Sequence, residues 1–239
     1  MLPLRDANTP AAVIRRADYT APAFWIDTVH LSFDLDPAKT RVLVNGAGTS
    51  FKMEGSQLVL ENLPEGDAPF ELEIFTTCCP VKNTQLMGLY VSNDSFFTQC
   101  EAEGFRRITY FLDRPDVMAV YTVLLRADKA RYPVLLSNGN LVDQGTLDGG
   151  RHYAKWHDPF PKPSYLFALV AGTLVAREQR IRTRGGREHL LQVYVRPGDL
   201  EKTEHAMHSL LASVAMAGLA RTAWVLKMFR PLFSMAPEL

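Results

Sequence analysis

Cysteine is scarce in this sequence. Only Cys78, Cys79 and Cys100 occur among the 239 residues. An odd count with one adjacent pair is not the disulfide framework of a secreted domain, and the spacing is not that of a zinc site. We therefore expect three reduced thiols in a cytoplasmic protein.

Net charge and long apolar runs are missing as well. Lys+Arg and Asp+Glu number 26 each, so no overall field attracts nucleic acid or an anionic membrane. The most apolar region, residues 206–235, is interrupted by Arg221, Lys227 and Arg230. It therefore has no window of the roughly 18 uncharged residues that a membrane span needs. The first 20 residues contain no apolar run of signal-peptide length. We predict neither nucleic-acid binding nor a membrane span.

Familiar catalytic motifs are also absent from the sequence. It contains no His-Glu-x-x-His zinc motif, no Gly-x-Ser-x-Gly elbow and no phosphate-binding glycine loop. His205 and His208 stand three residues apart, with Glu204 before the first histidine. The helix of a zinc peptidase needs a spacing of four, with the glutamate directly after the first histidine. No catalytic residue and no metal ligand is therefore assigned in this chain.

Alternating apolar and polar residues are the main pattern that the sequence does contain. Apolar side chains recur at every second position in the segments 25–35, 70–74 and 119–128. This period predicts β-strands with one buried face. In the segment 190–195 both alternating sets are partly apolar, which predicts a strand covered on both sides.

Turn sequences separate these segments and set the expected fold class. Asn-Gly or Gly-Gly pairs at 45–46, 138–139, 149–150 and 185–186 tolerate positive φ and favour tight hairpins. Many short strands with little helix predict a mainly β fold, an antiparallel saddle or sandwich.

Prolines shape one further segment. Residues 158–163 carry three prolines at alternate positions, which we interpret as a rigid crossover between strands rather than as a ligand for a proline-recognising domain. A buried strand is predicted after it, over Tyr165–Val175.

One helix is predicted near the C-terminal end, with Asp199 as its N-cap. The residues at helical spacing are Leu200, Thr203, Met207, Leu210, Leu211 and Val214. Because the composition changes here, we predict a boundary near residue 197. Residues 1–197 would form the β domain, and residues 198–239 a helical remnant with a divergent apolar tail. We interpret the tail, residues 216–239, as an orphan segment rather than as an amphipathic helix on a membrane surface.

The most informative stretch is residues 98–121, Thr-Gln-Cys-Glu-Ala-Glu-Gly-Phe-Arg-Arg-Ile-Thr-Tyr-Phe-Leu-Asp-Arg-Pro-Asp-Val-Met-Ala-Val-Tyr. It closely resembles a signature of the zinc-dependent aminopeptidase N family, in the bacterial alanyl aminopeptidase branch. Residues 16–36, 88–90, 132–140 and 156–172 resemble other parts of the same N-terminal domain, in the correct order. The resemblance implies a β saddle or sandwich that stands before a catalytic domain.

The resemblance also implies an activity for the parent enzyme. Such an enzyme removes N-terminal residues from peptides with one zinc ion, which belongs to the complete enzyme and not to this chain. Gln99 and Glu101 match the positions that hold the free α-amine of a bound peptide. A carboxylate and an amide oxygen suit an ammonium group. From the residues alone, without the resemblance, both side chains are better explained as exposed polar groups on a strand or loop.

Two departures from the family pattern shape the expected function. Between Thr40 and Val44 the family has more strands, so the β domain is expected to be internally shortened near residues 40–44. After about Val214 the resemblance ends, and we expect a truncated or frame-shifted gene product. The chain would then recognise peptide N-termini but be inactive without the missing catalytic domain. The alternative is a non-catalytic β-sandwich module that binds a protein or peptide.

Charges of both signs crowd the middle of the signature block. They are Glu103, Arg106, Arg107, Asp113, Arg114 and Asp116. Mixed-sign runs usually neutralise one another. We expect a salt-bridged network that fixes this loop to the neighbouring catalytic domain, rather than an acid–base or phosphate site.

Overall fold

A computed structural model describes residues 19–22, 24–35, 41–44, 46–66, 68–182 and 186–217. In these ranges the chain is mainly strand, with one α-helix, so the predicted fold class is confirmed. The elements are β1 (Thr28–Asp34), β2 (Arg41–Val44), β3 (Ala47–Gly48), β4 (Phe51–Glu54), β5 (Gln57–Leu60), β6 (Leu72–Phe75), β7 (Gly88–Ser92), β8 (Ser95–Gln99), β9 (Met118–Asp128), β10 (Val134–Ser137), β11 (Asn140–Thr146), β12 (Arg151–Pro163), β13 (Leu169–Gly172), β14 (Val175–Arg182), β15 (Glu188–Val195) and α1 (Glu204–Ala217).

The first of two main sheets has the strand order β1-β9-β12-β11. Strand β1 lies parallel to β9, whereas β12 is antiparallel to both β9 and β11. Tyr121, Val123 and Leu125 face inward from β9 and are at most 1% exposed. The alternation that predicted this strand therefore identified its buried face correctly.

The second main sheet has the order β10-β13-β8-β7, and all of its strands are antiparallel. Its inward side chains, such as Phe96, Leu135 and Leu169, join those of the first sheet in one hydrophobic core. The Trp156 indole crosses between the sheets and donates a hydrogen bond to the carbonyl oxygen of Leu135 at 3.2 Å. Two layers, the second antiparallel throughout and the first antiparallel except for the β1–β9 pair, pack around a shared core and form the predicted sandwich.

The helix and the last hairpin form a smaller, separate core. Strands β14 and β15 pair with each other, and α1 packs on β15 through Leu191, Val193, Met207 and Leu210. The predicted inward face of the helix is thus confirmed. The opposite face of β15 is only partly covered, since Leu190 is 41% exposed, so the prediction of a strand covered on both sides is wrong at this residue. The predicted boundary near residue 197 stays a prediction.

The predicted cap of this helix is wrong. A 3₁₀ turn, Leu200–Thr203, precedes α1, and the Asp199 side chain makes no capping hydrogen bond. Its carboxylate instead accepts a hydrogen bond from Lys202 Nζ at 2.7 Å. The Asp199 carboxylate is thus engaged by cationic side chains, Lys202 and, at 3.6 Å, Arg196, instead of by backbone amides.

The proline-rich segment is not a crossover. Residues 158–163 belong to β12, whose pairing with β9 shifts in register between Asp158 and Lys162. Proline lacks the N–H that a regular ladder requires, and Pro159 and Pro161 lie where the pairing is irregular, whereas Pro163 is the last residue of the strand. The buried strand predicted over 165–175 is shorter, Leu169–Gly172, because a 3₁₀ turn occupies Ser164–Leu166.

Two apolar positions expected in buried strands are exposed. Trp25 is 64% exposed and lies before the first residue of β1. Leu72 is 38% exposed because β6 belongs to a small sheet of order β3-β2-β6, outside the main core. The expected shortening near residues 40–44 stays a prediction, since residues 36–40 lie outside the described ranges. The tail from residue 218 onward lies outside them too. Within the described part, no helix is long and apolar enough to cross a membrane.

We predict that Leu210→Ala lowers the free energy of unfolding by about 2–5 kcal/mol, because it removes a fully buried side chain from a small cluster. Leu210 is 2% exposed between α1 and β15. His208→Ala is the matched control, since His208 is exposed on the same helix. Urea unfolding of both variants measures the difference. Equal stabilities would show that α1 does not depend on this cluster.

Candidate functional site

The two residues singled out by the sequence lie next to each other at the end of β8. Gln99 is the last residue of that strand and pairs with Gly88 of β7. Glu101 is exposed in the turn that follows, and the Gln99 side-chain amide donates a weak hydrogen bond to the Glu101 carbonyl oxygen at 3.4 Å. Among the residues that the structure describes, none forms an ion pair with the Glu101 carboxylate. This carboxylate is therefore available to a cation from outside.

Glycines allow the turn after β8 to fold back on the sheet. The Gly104 N–H donates to the Cys100 carbonyl oxygen at 2.8 Å and closes the turn. A Cβ at Gly104 would lie 2.4 Å from the backbone oxygen of Gln99, so no larger residue fits without moving the backbone. Gly88 has φ +75, and a Cβ there would lie 2.9 Å from the Arg107 Cβ. We call residues 100–107 the amine turn, after the role expected of Glu101.

Aromatic packing holds the inner side of the amine turn. Phe105 is 0% exposed and lies edge-on to the rings of Phe111, Tyr121 and Phe167, with centroids 5.0–6.3 Å apart. Cys100 is buried beside it, and burial, with a smaller effect of the Asp113 charge, raises the pKa of its thiol to about 12. Its burial and its raised pKa both make this thiol slow to react at neutral pH.

A buried carboxylate anchors the charged side of the amine turn. Asp113 Oδ2 accepts hydrogen bonds from the Arg106 backbone N–H at 3.0 Å and from Arg106 Nε at 3.2 Å. Its other oxygen accepts the hydroxyl of Ser164. Arg106 Nη2 also donates to the Asp113 carbonyl oxygen at 2.9 Å. Both carboxylate oxygens of Asp113 are thus satisfied, as burial of a charge requires.

The rest of the charged run is paired as well. Arg114 donates to both carboxylate oxygens of Asp116, at 2.9 and 2.7 Å, and to the carbonyl oxygen of Thr20. Arg107 donates to the side-chain oxygen of Gln85 at 2.9 Å. The expected network is confirmed within this chain. Its expected role against a catalytic domain stays a prediction.

The structure contains a buried cation, Lys162, that the sequence did not indicate. Lys162 is 7% exposed, and its Nζ lies 3.9 Å from the centroid of the Tyr121 ring and 3.1 Å from Asp158 Oδ2. Burial lowers the pKa of Lys162, against the opposing attraction of Asp158. The Tyr121 hydroxyl is buried without a hydrogen-bond partner in the described ranges. The sequence does not indicate that this lysine faces inward, because the irregular pairing of β12 interrupts the alternation of inward and outward side chains.

Metal-ligating side chains do not gather in the part of the chain that the structure describes. No group of three or more histidine, cysteine, aspartate or glutamate residues is placed to hold a metal ion there. His205 and His208 are both exposed on α1. Cys78 and Cys79 are exposed and unbridged, and Cys100 is buried and also free.

We predict that Gly104→Ala lowers the free energy of unfolding by about 1–3 kcal/mol, as overpacking against a fixed backbone does. Gly48→Ala is the matched control, because no atom lies within 4 Å of the Cβ it would add and its φ is not positive. Thermal unfolding of both variants checks the prediction. An unchanged Gly104→Ala protein would mean that the amine turn moves freely away from β8.

We predict that the Arg114–Asp116 pair stabilises the fold in a way that depends on pH in the acid range. Hydrogen bonds from Arg114, helped by the Tyr19 hydroxyl, lower the pKa of Asp116 to about 2 from 3.8. The pair therefore stabilises the fold above about pH 4, and its contribution is lost as the pH falls toward 2. Titration of the Asp116 carboxyl by NMR should show this value, and Arg114→Gln should return it toward 3.8. Arg107→Gln, which breaks only the contact with Gln85, should leave it unchanged.

Comparison with known proteins identifies relatives of the whole β region. A family model described as Peptidase M1 N-terminal domain matches residues 21–166. Aminopeptidase N of Escherichia coli (strain K12) is 46% identical over 228 residues, covering 83% of this chain and 26% of that protein. Aminopeptidase N of Caulobacter vibrioides is 45% identical over 231 residues, covering 85% and 26%. The chain spans about a quarter of the length of these curated relatives.

Solved structures agree with the sequence relatives. Legionella pneumophila aminopeptidase A, in complex with aspartic acid, superposes with a TM-score of 0.73 at 30% identity, over 83% of this chain and 27% of that one. The M1 zinc metallopeptidase of Deinococcus radiodurans gives a TM-score of 0.55 at 18% identity, over 67% of this chain and 38% of that one, which supports the fold alone. The resemblance to aminopeptidase N is confirmed. Because the family model matches more than half of its residues, including the amine turn and the Asp113 network, this chain belongs to the family of Peptidase M1 N-terminal domains.

Proposed function

We propose that this domain binds the free α-amine of a peptide as the substrate-recognition part of a zinc aminopeptidase, and that it cleaves no peptide by itself. The observation that carries the proposal is the placement of Gln99 and Glu101 side by side, with the Glu101 carboxylate exposed and in no ion pair with the described residues. The names of the relatives, aminopeptidase N and aminopeptidase A, support an N-terminal amine as the target.

The chemistry of the pair fits an ammonium group. An α-ammonium offers three N–H donors, and the Glu101 carboxylate together with the Gln99 amide oxygen offers acceptors for them. A peptide bond inside a chain has no positive charge to offer, so the pair selects peptide ends. An exposed ion pair contributes only about 0–1 kcal/mol. We therefore expect weak binding by the domain alone, and tighter binding once a second protein surface covers the site.

We assign the zinc ion to the remainder of such an enzyme. Zinc is named for the Deinococcus radiodurans relative, and structural or catalytic zinc needs three or four protein ligands. The described residues of this chain bring no such group together. The catalytic domain is accordingly the proposed partner of this domain, and the proposed compartment is the cytoplasm, where the three free thiols would stay reduced.

The second candidate function is a peptide-binding module that acts without a catalytic partner. The same exposed carboxylate favours it, since amine recognition does not itself need a metal. The two candidates differ in their dependence on the rest of the enzyme. An aminopeptidase domain gains activity when the missing portion is supplied, whereas a free-standing module binds peptides and gains nothing.

We predict that the purified chain hydrolyses neither alanyl nor leucyl arylamides, with or without added zinc. Adding a catalytic portion of the Escherichia coli relative, made without its counterpart of this domain, should restore turnover. Glu101→Gln should then lower kcat/KM by roughly 10- to 100-fold, because a hydrogen bond to a charged group contributes about 1.5–3 kcal/mol and 1.4 kcal/mol is a factor of ten.

Glu103→Gln is the matched control for this assay, since Glu103 is an exposed carboxylate of the same turn that pairs with Arg106 at 3.4 Å. It should leave kcat/KM within a factor of about three, the loss of a surface ion pair. N-acetylated peptides should compete poorly with free ones. Chelator-sensitive turnover by the chain alone would contradict the assignment of zinc to the rest of the enzyme. Equal effects of both glutamate variants would contradict the role of Glu101.

A further inference from the structure

We infer that Asp113 is a positioning residue for amine recognition, which it serves by fixing the turn that presents Gln99 and Glu101. The inference rests on the proposed function of those two side chains. It concerns a residue that cannot touch a substrate itself, because the Asp113 side chain is only 2% exposed. Its effect must therefore pass through the backbone it holds.

The contacts of Asp113 lead directly to the amine turn. Three of its hydrogen bonds come from Arg106, through the backbone N–H, Nε and Nη2. Arg106 lies in the 3₁₀ turn Phe105–Arg107, which directly follows Gly104 and the closed loop of Cys100 to Gly104. A shift of Arg106 would therefore carry the end of this loop with it, and Glu101 stands inside the loop.

Asp113 also ties the amine turn to the other sheet. Its second carboxylate oxygen accepts the Ser164 hydroxyl, and Ser164 is 1% exposed in the 3₁₀ turn directly after β12. The amine turn follows β8, which belongs to the second main sheet, whereas β12 is central in the first. One carboxylate thus joins the amine turn to the segment that directly follows a strand of the opposite layer. Arg114–Asp116, by contrast, reaches only to Thr20 and Tyr19, away from the turn.

Apolar packing alone does not fix the orientation of the amine turn, so a polar group is needed. Phe105 fixes the inner side of the turn by aromatic contacts, which are tolerant of small rotations. The close approach of Gly104 to Gln99 sets how near the turn lies to β8. Hydrogen bonds to both oxygens of Asp113 add direction, because such bonds weaken steeply away from linearity. Direction is what a two-residue clamp needs if both acceptors are to meet one ammonium group.

The alkylation rate of Cys100 reports whether the amine turn stays closed. Its thiol is 3% exposed, whereas Cys78 and Cys79 are exposed, so a thiol reagent should label two residues fast and one slowly. Loosening of the turn exposes Cys100. We would follow alkylation residue by residue by mass spectrometry on the full chain, in parallel with binding of trialanine and its N-acetyl form by ligand-observed NMR.

The variants Asp113→Asn and Arg106→Gln distinguish loosening of the amine turn from a direct effect of charge on the Cys100 thiol. The Asp113 charge raises the pKa of the Cys100 thiol, so its removal alone would speed alkylation. Removing the Arg106 charge would not by itself speed alkylation, because the loss of a cation does not favour the thiolate. Loss of the hydrogen bonds between Asp113 and Arg106 would loosen the turn and speed alkylation of Cys100 in both variants. We expect at least a tenfold rise in the Cys100 rate in both variants, with a similar loss of trialanine binding.

Asp116→Asn is the matched control, a carboxylate of the same run whose partners are Arg114 and Tyr19. It should change neither readout. Opposite rate changes in Asp113→Asn and Arg106→Gln would overturn the inference, as would faster labelling with unchanged peptide binding. If Asp113→Asn fails to fold, Ser164→Ala replaces it, since it removes one partner and keeps the charge. Wild-type protein that binds no trialanine would refute the proposed function, while the labelling rates would still report whether Asp113 holds the turn.

Discussion

The need to satisfy one buried carboxylate organises the region between the two sheets. Asp113 sits where the amine turn, the loop before β9 and the end of β12 converge, and each of them contributes a donor or the backbone that carries it. A buried charge without partners is strongly unfavourable, so these segments can pack together only in the arrangement that supplies the donors. The polar contacts at this place therefore decide the geometry, while the surrounding apolar side chains supply most of the burial.

Such an arrangement is a poor source of stability but a good source of specificity. Removing a carboxylate and a guanidinium from water costs most of what their attraction returns. Arg106 lowers this cost, because its side chain is 48% exposed and keeps part of its hydration. The pair therefore joins a solvated cation to a buried anion. The exposed guanidinium stays partly in water, and the carboxylate stays in the core.

The fold could be predicted from the sequence wherever a single spacing of apolar residues extended over a whole segment. The alternation in β9 predicted both the strand and its buried face, and the spacing of Met207 and Leu210 predicted the inward side of α1. Prediction failed where two effects competed at one residue. Asp199 could bond a backbone amide or Lys202, which is three residues further on, and the local sequence favours neither. Residues 158–163 could turn or extend, and pairing with β9 decided between the two. The adjacency of Gln99 and Glu101 follows from chain sequence, but the partners of Asp113 could not be foreseen, since Ser164 is remote in the chain.

The parallel pairing of β1 with β9 has a consequence for the order of folding. Val29 has Tyr121 as its partner, so the first described strand cannot complete its ladder until the middle of the chain has been made. At about 5–20 residues per second of synthesis, this wait lasts on the order of several seconds. During that interval β1 is an unprotected strand with an apolar side, open to pairing with other nascent chains. The hairpins β4–β5 and β7–β8 close locally, so β1 is expected to dock later than they do.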